Sequence, residues 1–294
     1  MSPRTVAAQY PAYRDDIGDL TTRRPLPGPD VPQIDPFLFL NHHGPQTYAP
    51  GNQGLPFGPH PHRGFETVTF ILDGNLAHHD TGGHESVIEA GGVQWMTAGS
   101  GLVHAEVSPP AFKKQGGSLE ILQLWVNLPS RLKMVHPRYT GVQRAAIPVV
   151  PIADGQGELS LISGTFGGMS GPVESLTGVF MSTVRLSAGA RVELPAPKGR
   201  SVFLYSVSGD ITVSETPVGP WQLVGMNDDG DAISISAQSD AVLLYGHADP
   251  IGEPVVAHGP FVMNTAEEIQ EAIRDYRAGK FDAAGAAMGT DSGA

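Results

Sequence analysis

The chain has 294 residues, of which 40% are apolar, and a formal charge of -12 from 18 Lys plus Arg against 30 Asp plus Glu. That field repels nucleic acid and anionic membrane surfaces, and no basic stripe offsets it, so direct nucleic-acid contact is excluded from the expected functions. With no cysteine there are no disulfides, thiolate metal sites or cysteine nucleophiles, and any metal must sit in nitrogen and oxygen ligands.

The N-terminal stretch MSPRTVAAQYPAYRDD lacks the apolar centre of a signal peptide, and no run approaches the roughly 18 apolar residues of a membrane span. A cytoplasmic protein without a membrane segment is the expectation. The 37 Gly and 26 Pro are scattered between short β-branched runs, a pattern that suits an all-β protein with many turns.

In chain order, residues 1–35 read as strand fragments and turns, and DPFLFLNHHGP (35–45) contains a short buried strand. ETVTFILDG (66–74) alternates and ends in Asp73-Gly74, a hairpin signal. Residues 75–107 give three or four short strands separated by Gly pairs, and LEILQLWVNL (119–128) is a strand apolar on both faces. SRLKMVH (130–136) suits one or two helical turns stopped by Pro137.

A similar order then returns. VFLYSVSGDITVSE (202–215) resembles VTFILDGNLAHHD (68–80), DGDAISISAQ (229–238) takes the place of EAGGVQWMTAG (89–99), and AVLLYGH (241–247) parallels LEILQLWV. The repeat predicts two β-sandwich or barrel domains of one architecture. One clear helix follows, NTAEEIQEAIRDYRAG (264–279), with Thr265 and Glu268 as capping box, an apolar face of Ile269, Ala272, Ile273 and Tyr276, and Gly279 as its stop. The expected boundaries are 1–137 for the first domain, 138–158 for a linker, 159–262 for the second domain, 263–281 for the helix and 282–294 for a disordered tail.

Chemistry concentrates in the first domain. Residues i and i+2 of a strand share a face, so His60-Pro-His62 aims two imidazoles one way and His104-Ala-Glu106 aims an imidazole and a carboxylate one way. Either pair alone is weak. Together they offer three His and one carboxylate, a donor set for Fe(II), Mn, Co, Ni, Cu or Zn that leaves one or two positions of an octahedron open. Glu66 is the rival carboxylate, at the parity of His60 and His62.

His78, His79 and His84, near Asp80 and Glu85, read as a solvated hairpin face. His42-His43 read as a loop or as partners that orient a ligand imidazole. His247 and His258 are isolated, and the second half has neither His-x-His nor His-x-Glu at the corresponding places, so a single metal in the first domain is expected.

PHPHRGFETVTFILDG, GGVQWMTAGSGLVHAE, LQLWVNLP and HGPFVMNT, in that order over residues 18–280, resemble the signature segments of the pirin family, two-domain members of the cupin superfamily. The resemblance implies two tandem cupin domains, the first holding one metal, usually iron, on His60, His62, His104 and Glu106, with Glu66 not a ligand and the second domain metal-free. It also implies a reaction, because several pirins open flavonols such as quercetin with release of carbon monoxide. Glu106 would then be the catalytic base, a small aromatic molecule and O2 the substrates, and Asn41, Phe70, Met96 and Trp125 the expected pocket lining. Other pirins dock on proteins as transcription co-regulators or modulators of a metabolic enzyme, so a protein partner is the second implication. Where some pirins carry an acidic pair after the DPFL strand, this chain has Asn41-His42-His43, a departure that bears on the substrate more than on the metal.

Overall fold

The computed structural model describes residues 2–282. Antiparallel strands dominate, and the α-helices among the described residues are Pro110–Gln115 and Ala266–Arg277. The chain forms two compact units. One, here the histidine unit, comprises Asp16–Thr22, His43–Arg144 and Gly252–Ala294; the second comprises Met1–Asp15, Arg23–His42 and Ala145–Ile251. The units are therefore interleaved along the chain, where the sequence suggests consecutive ones.

Pairing explains the difference. Val6–Pro11 pairs with Gln222–Met226, which draws the N-terminus into the second unit, and the strand Phe37–Tyr48 runs across the division. The expected linker is not free chain either: Arg138–Val142 pairs with Val93–Thr97, and Val149–Ile152 pairs with Gly157–Ser163. Of the expected tail only Asp282 lies within the described residues.

In the histidine unit a four-stranded sheet runs in the order Phe57–His62, Leu102–Val107, Asn75–Asp80, Glu85–Glu89. A larger sheet has Arg138–Val142, Val93–Thr97, Phe65–Asp73 and Gly117–Asn127 as successive neighbours. Ile71, Leu119 and Ile121 of the larger sheet pack with Leu76 and Ile88 of the smaller one. The second unit repeats this plan. Arg191–Pro195, Ala232–Ala237, Ile211–Val213 and Thr216–Val218 form its smaller sheet, and Gln222–Met226, Ser201–Ser208, Ala241–Ala248 and Phe180–Leu186 are neighbours in its larger one. The fold is thus all-β, with two sandwich barrels of one architecture.

The repeat is legible in register. Glu106 lies opposite His78 and His104 lies opposite both Asp80 and His60. At the same places in the second barrel, Ile235 lies opposite Val213 and Ile233 lies opposite Leu194. All four of those residues belong to one buried apolar cluster. Leu194, Ile233 and Ile235 therefore stand where the histidine unit has His60, His104 and Glu106, and they offer no donor atom. One expectation needs correction: Ala232–Ala237 corresponds to Leu102–Val107, not to residues 89–99. Both of the latter segments are short, apolar and next to Gly, and only the sheet order separates them.

The C-terminal helix begins as the sequence predicts. The Thr265 hydroxyl accepts from the Glu268 backbone N–H, and the Glu268 carboxylate accepts from that of Thr265. Of its apolar stripe Ile269 and Ala272 are buried, while Tyr276 is exposed. The Pro110–Gln115 helix has only 6 residues, too few for a periodic pattern to reveal.

His247 is buried in the second unit, its ring stacked on Phe180 with centroids 4.7 Å apart. Burial, and next the positive Arg200 and Arg4, push its pKa down to about 3. A histidine that is harder to protonate in the folded chain is stabilising above its ordinary pKa of 6.5, and this contribution is lost progressively as pH falls from 6.5 toward about 3. His247→Leu should therefore flatten the acid limb of stability against pH in that window, by at most about 1.4 kcal/mol per pH unit. Urea titrations of both proteins between these limits check it, and equal slopes would refute it.

Candidate metal centre

Two neighbouring strands of the smaller sheet bring the donors together. His60 and His62 share a face of Phe57–His62, and His104 and Glu106 share a face of Leu102–Val107; a register shift falls between His104 and Glu106. The imidazole centroids lie 4.4 Å apart for His60 and His104, 5.0 Å for His62 and His104, and 4.8 Å for His60 and His62. Their donor nitrogens all fall within 4.8 Å of one another, the group among the described residues that could hold a metal ion.

The hydrogen bonds fix which nitrogen is free. His60 Nδ1 donates to the Gly58 carbonyl at 2.7 Å and His62 Nδ1 to the Pro260 carbonyl at 3.2 Å. A carbonyl only accepts, so both rings carry their proton on Nδ1 and turn an Nε2 lone pair to the centre. The Nε2 of His62 and both ring nitrogens of His104 are buried without a hydrogen-bond partner. Burial, and next the neighbouring His60, push His62 down to about 3; burial, then His62, His60 and His78, hold His104 well below its ordinary range. Both rings are neutral at neutral pH, as ligation requires. An N-donor set with orphaned, neutral, converging lone pairs fits a divalent metal ion.

The two carboxylates differ in placement. Glu106 is buried; one oxygen lies 3.9 Å from His104 Nε2 and also accepts from the Gln123 amide, while the other accepts from the Thr69 hydroxyl at 2.7 Å. Glu66 is also buried but accepts from Thr97 at 2.6 Å. Alternation puts Glu66 on the face of Phe65–Asp73 opposite to Thr69. The parity of its number with those of His60 and His62 is broken at Arg63-Gly64, between the end of one strand and the start of the next. Burial raises the Glu66 pKa, and the Thr97 bond opposes that rise.

Register also sorts the expected pocket residues. Trp125 and Met96 both lie directly opposite Thr67, on the face of Thr69. The Trp125 ring is 5.4 Å from that of His62 and 4.4 Å from that of Phe65. Phe70 is buried on the other face, beside Glu66 in parity. Asn41 belongs to the second unit, where its side-chain carbonyl accepts from Arg24 Nε at 3.0 Å.

The hairpin histidines correct the sequence reading. His78 is buried rather than solvated, its Nε2 2.9 Å from an Asp80 oxygen and its ring stacked on Tyr139 with centroids 3.9 Å apart. It lies 5.4 Å from the ring of His104. Asp80 also accepts from the backbone N–H and from Nδ1 of His84; burial raises its pKa, but the bond from His78, and next those from His84, outweigh burial and draw it down. Tyr139 is pushed up to about 12, first by burial. The signal was present in NLAHHD: Leu76, His78 and Asp80 share a parity, and Leu76 is core. His42 and His43 are likewise no loop. They lie within Phe37–Tyr48, His42 Nδ1 3.0 Å from the Tyr205 hydroxyl and His43 Nδ1 2.8 Å from that of Thr22.

A double-stranded β-barrel with three convergent imidazoles on adjacent strands, repeated once with apolar residues at those places, defines a two-domain cupin with one potential metal centre. A family model described as Pirin matches residues 19–126, and one described as Pirin C-terminal cupin domain matches residues 181–282. Human Pirin is 38% identical over 88% of this chain and 87% of its own. A Pseudomonas aeruginosa protein whose name offers quercetin 2,3-dioxygenase as a proposed activity is 41% identical over 84% of this chain and 87% of its own. A crystal structure of quercetin 2,3-dioxygenase from Acinetobacter baumannii superposes with a TM-score of 0.90 at 32% identity, covering 95% of this chain and 99% of that one. The chain belongs to the pirin family.

Proposed function

We propose that this chain is a metal-dependent dioxygenase that opens the heterocyclic ring of a flavonol such as quercetin and releases carbon monoxide. The observation that carries the reading is the buried carboxylate of Glu106 beside the converging imidazoles of His60, His62 and His104, on a barrel face lined by aromatic and apolar side chains. His60, His62 and His104, with Glu106, would hold the ion through three nitrogens and an oxygen; the family resemblance implies Fe(II), and Mn, Co, Ni, Cu and Zn suit the same donors. When bound, the ion supplies Lewis acidity and a place where a flavonol oxygen and O2 meet.

The chain's own residues divide the remaining work. Glu106 takes the proton of the flavonol 3-hydroxyl, and Thr69 and Gln123 fix the plane of its carboxylate for that transfer. Trp125, backed by the fully buried ring of Phe65, gives the aromatic substrate an apolar surface beside His62. The reaction balances without a further reductant. Both atoms of O2 enter the products, two bonds of the heterocycle break, and the carbon that bore the 3-oxygen leaves as carbon monoxide.

Names among the relatives support the substrate class. The test is anaerobically prepared, iron-loaded protein mixed with quercetin and then O2, with loss of flavonol absorbance and release of carbon monoxide followed together. Turnover is expected, and Glu106→Gln should lose about 100-fold or more of it, the size of a general-base contribution. No turnover with iron, manganese, cobalt, nickel or copper would overturn the reading and turn the search to protein partners.

A further inference from the structure

The strands that carry the imidazoles have a second face. His104 and Glu106 point to the centre, so Val103 points away, and there it packs with Phe261, Met263, Ile269, Ala272 and Phe281 of the C-terminal segment. The same segment grips the chain immediately after His62. Arg63 and Phe261 form a bridge, with the Val262 N–H donating to the Arg63 carbonyl at 3.1 Å. The Arg63 guanidinium meets Asp275 at 3.0 Å and lies over the Phe281 ring, 4.6 Å from its centroid. The Thr81 hydroxyl donates to the Phe281 carbonyl at 2.7 Å and accepts from the Val103 N–H at 3.1 Å.

Two glycines make this approach possible. A Cβ at Gly64 would lie 2.0 Å from the Val262 carbonyl oxygen, and one at Gly101 would lie 2.5 Å from the Phe281 ring. At the middle of the contact, the Pro260 carbonyl accepts from His62 Nδ1.

We infer that the C-terminal segment is part of the metal centre: through the Pro260 carbonyl it fixes the tautomer and ring plane of His62, and the Asp275–Arg63 pair keeps that carbonyl in place. Asp275, Arg63 and Phe281 are positioning residues for the centre, although none offers it a donor atom. The inference rests on the metal-centre reading above, but its first readout needs no metal. Without the carbonyl, nothing holds the proton on Nδ1 rather than Nε2, and an Nε2–H ring cannot ligate through the nitrogen that faces the centre. Asp275 also accepts from Lys280 at 2.7 Å, so its carboxylate is held from two sides.

The test uses the full chain in two states. In metal-free protein, imidazole nitrogen chemical shifts should place the His62 proton on Nδ1 in the wild type and divide it between the two nitrogens in Asp275→Asn. In zinc-loaded protein, loss of metal to EDTA should be at least about 10-fold faster in Asp275→Asn, the lower end of what loss of a ligand-orienting partner costs. Asp275→Glu should restore both readings, which a general loosening of the fold would not. Phe281→Leu, a milder change at the same contact, should move them in the same direction if Asp275→Asn folds poorly. Wild-type tautomer and wild-type metal loss in both variants would overturn the inference. A wild type that takes up no metal would refute the metal reading alone, with the tautomer measurement still deciding this one.

Discussion

His104→Ala is expected to empty the metal centre and leave the chain folded. The His104 ring lies beside those of His60 and His62, and its strand also carries Glu106. Neither of its nitrogens has a protein partner, so its removal orphans no hydrogen bond. The cost to folding is a cavity near the barrel wall, set against separate apolar cores in the two units. Loss of metal affinity should exceed the roughly 100-fold that removing a ligand's outer partner costs, since here the ligand itself goes. The flavonol turnover proposed above should disappear with the metal. Glu66→Gln is the control: Glu66 is bonded to Thr97 on the face away from Thr69, and its variant should keep metal. Metal content by elemental analysis, with a thermal melt on the same samples, decides. A folded His104→Ala protein with full metal, or a Glu66→Gln protein without it, would overturn the ligand assignment.

Much of this was legible in the sequence because β-structure writes itself with period two. His60-x-His62 and His104-x-Glu106 declare a shared face each; Asp73-Gly74 reads locally as a hairpin, but the turn there carries the chain from the larger sheet at Asp73 to the smaller one at Asn75, and the two strands do not pair. The same rule failed in particular places. Parity across Gly64 suggested that Glu66 points with His60 and His62, but a strand break resets the count. His78 falls in the sequence among the half-buried His79 and the exposed His84, although Leu76 and Asp80 mark its side of the strand as internal. Long-range pairing was not legible at all. Nothing local says that Val6–Pro11 joins Gln222–Met226, or that Pro260 meets His62, and these contacts decide where the units divide and which carbonyl the His62 ring bonds to. The apolar substitution of the second centre was legible as missing histidines; that Ile233, Ile235 and Leu194 fill it required the register.

Lys133→Met should give the largest loss of stability, about 2–4 kcal/mol, from a residue that takes no part in chemistry. Lys133 is fully buried, and its ammonium donates to the Gly64 carbonyl at 2.8 Å, the Val262 carbonyl at 3.1 Å and the Asn127 side-chain carbonyl at 2.6 Å. Methionine matches its length but leaves all three acceptors without that donor in a dry setting. Two of the three belong to the contact between the His62 loop and the C-terminal segment, so the loss should fall on that contact first. The pH dependence gives a signature. Burial pushes the Lys133 pKa down from 10.5 to about 8, with Glu253 and Glu268 opposing the shift. Between those values the unfolded chain holds a proton that the folded chain has shed, so this group's contribution to stability rises with pH through the window. Methionine has no such proton. The gap between wild type and Lys133→Met, measured by urea unfolding from neutral pH to about pH 10, should therefore widen above pH 8. A gap that narrows there would mean that the ammonium, rather than the neutral amine, is the better-accommodated form, and that these carbonyls hold the charge more strongly than burial penalises it.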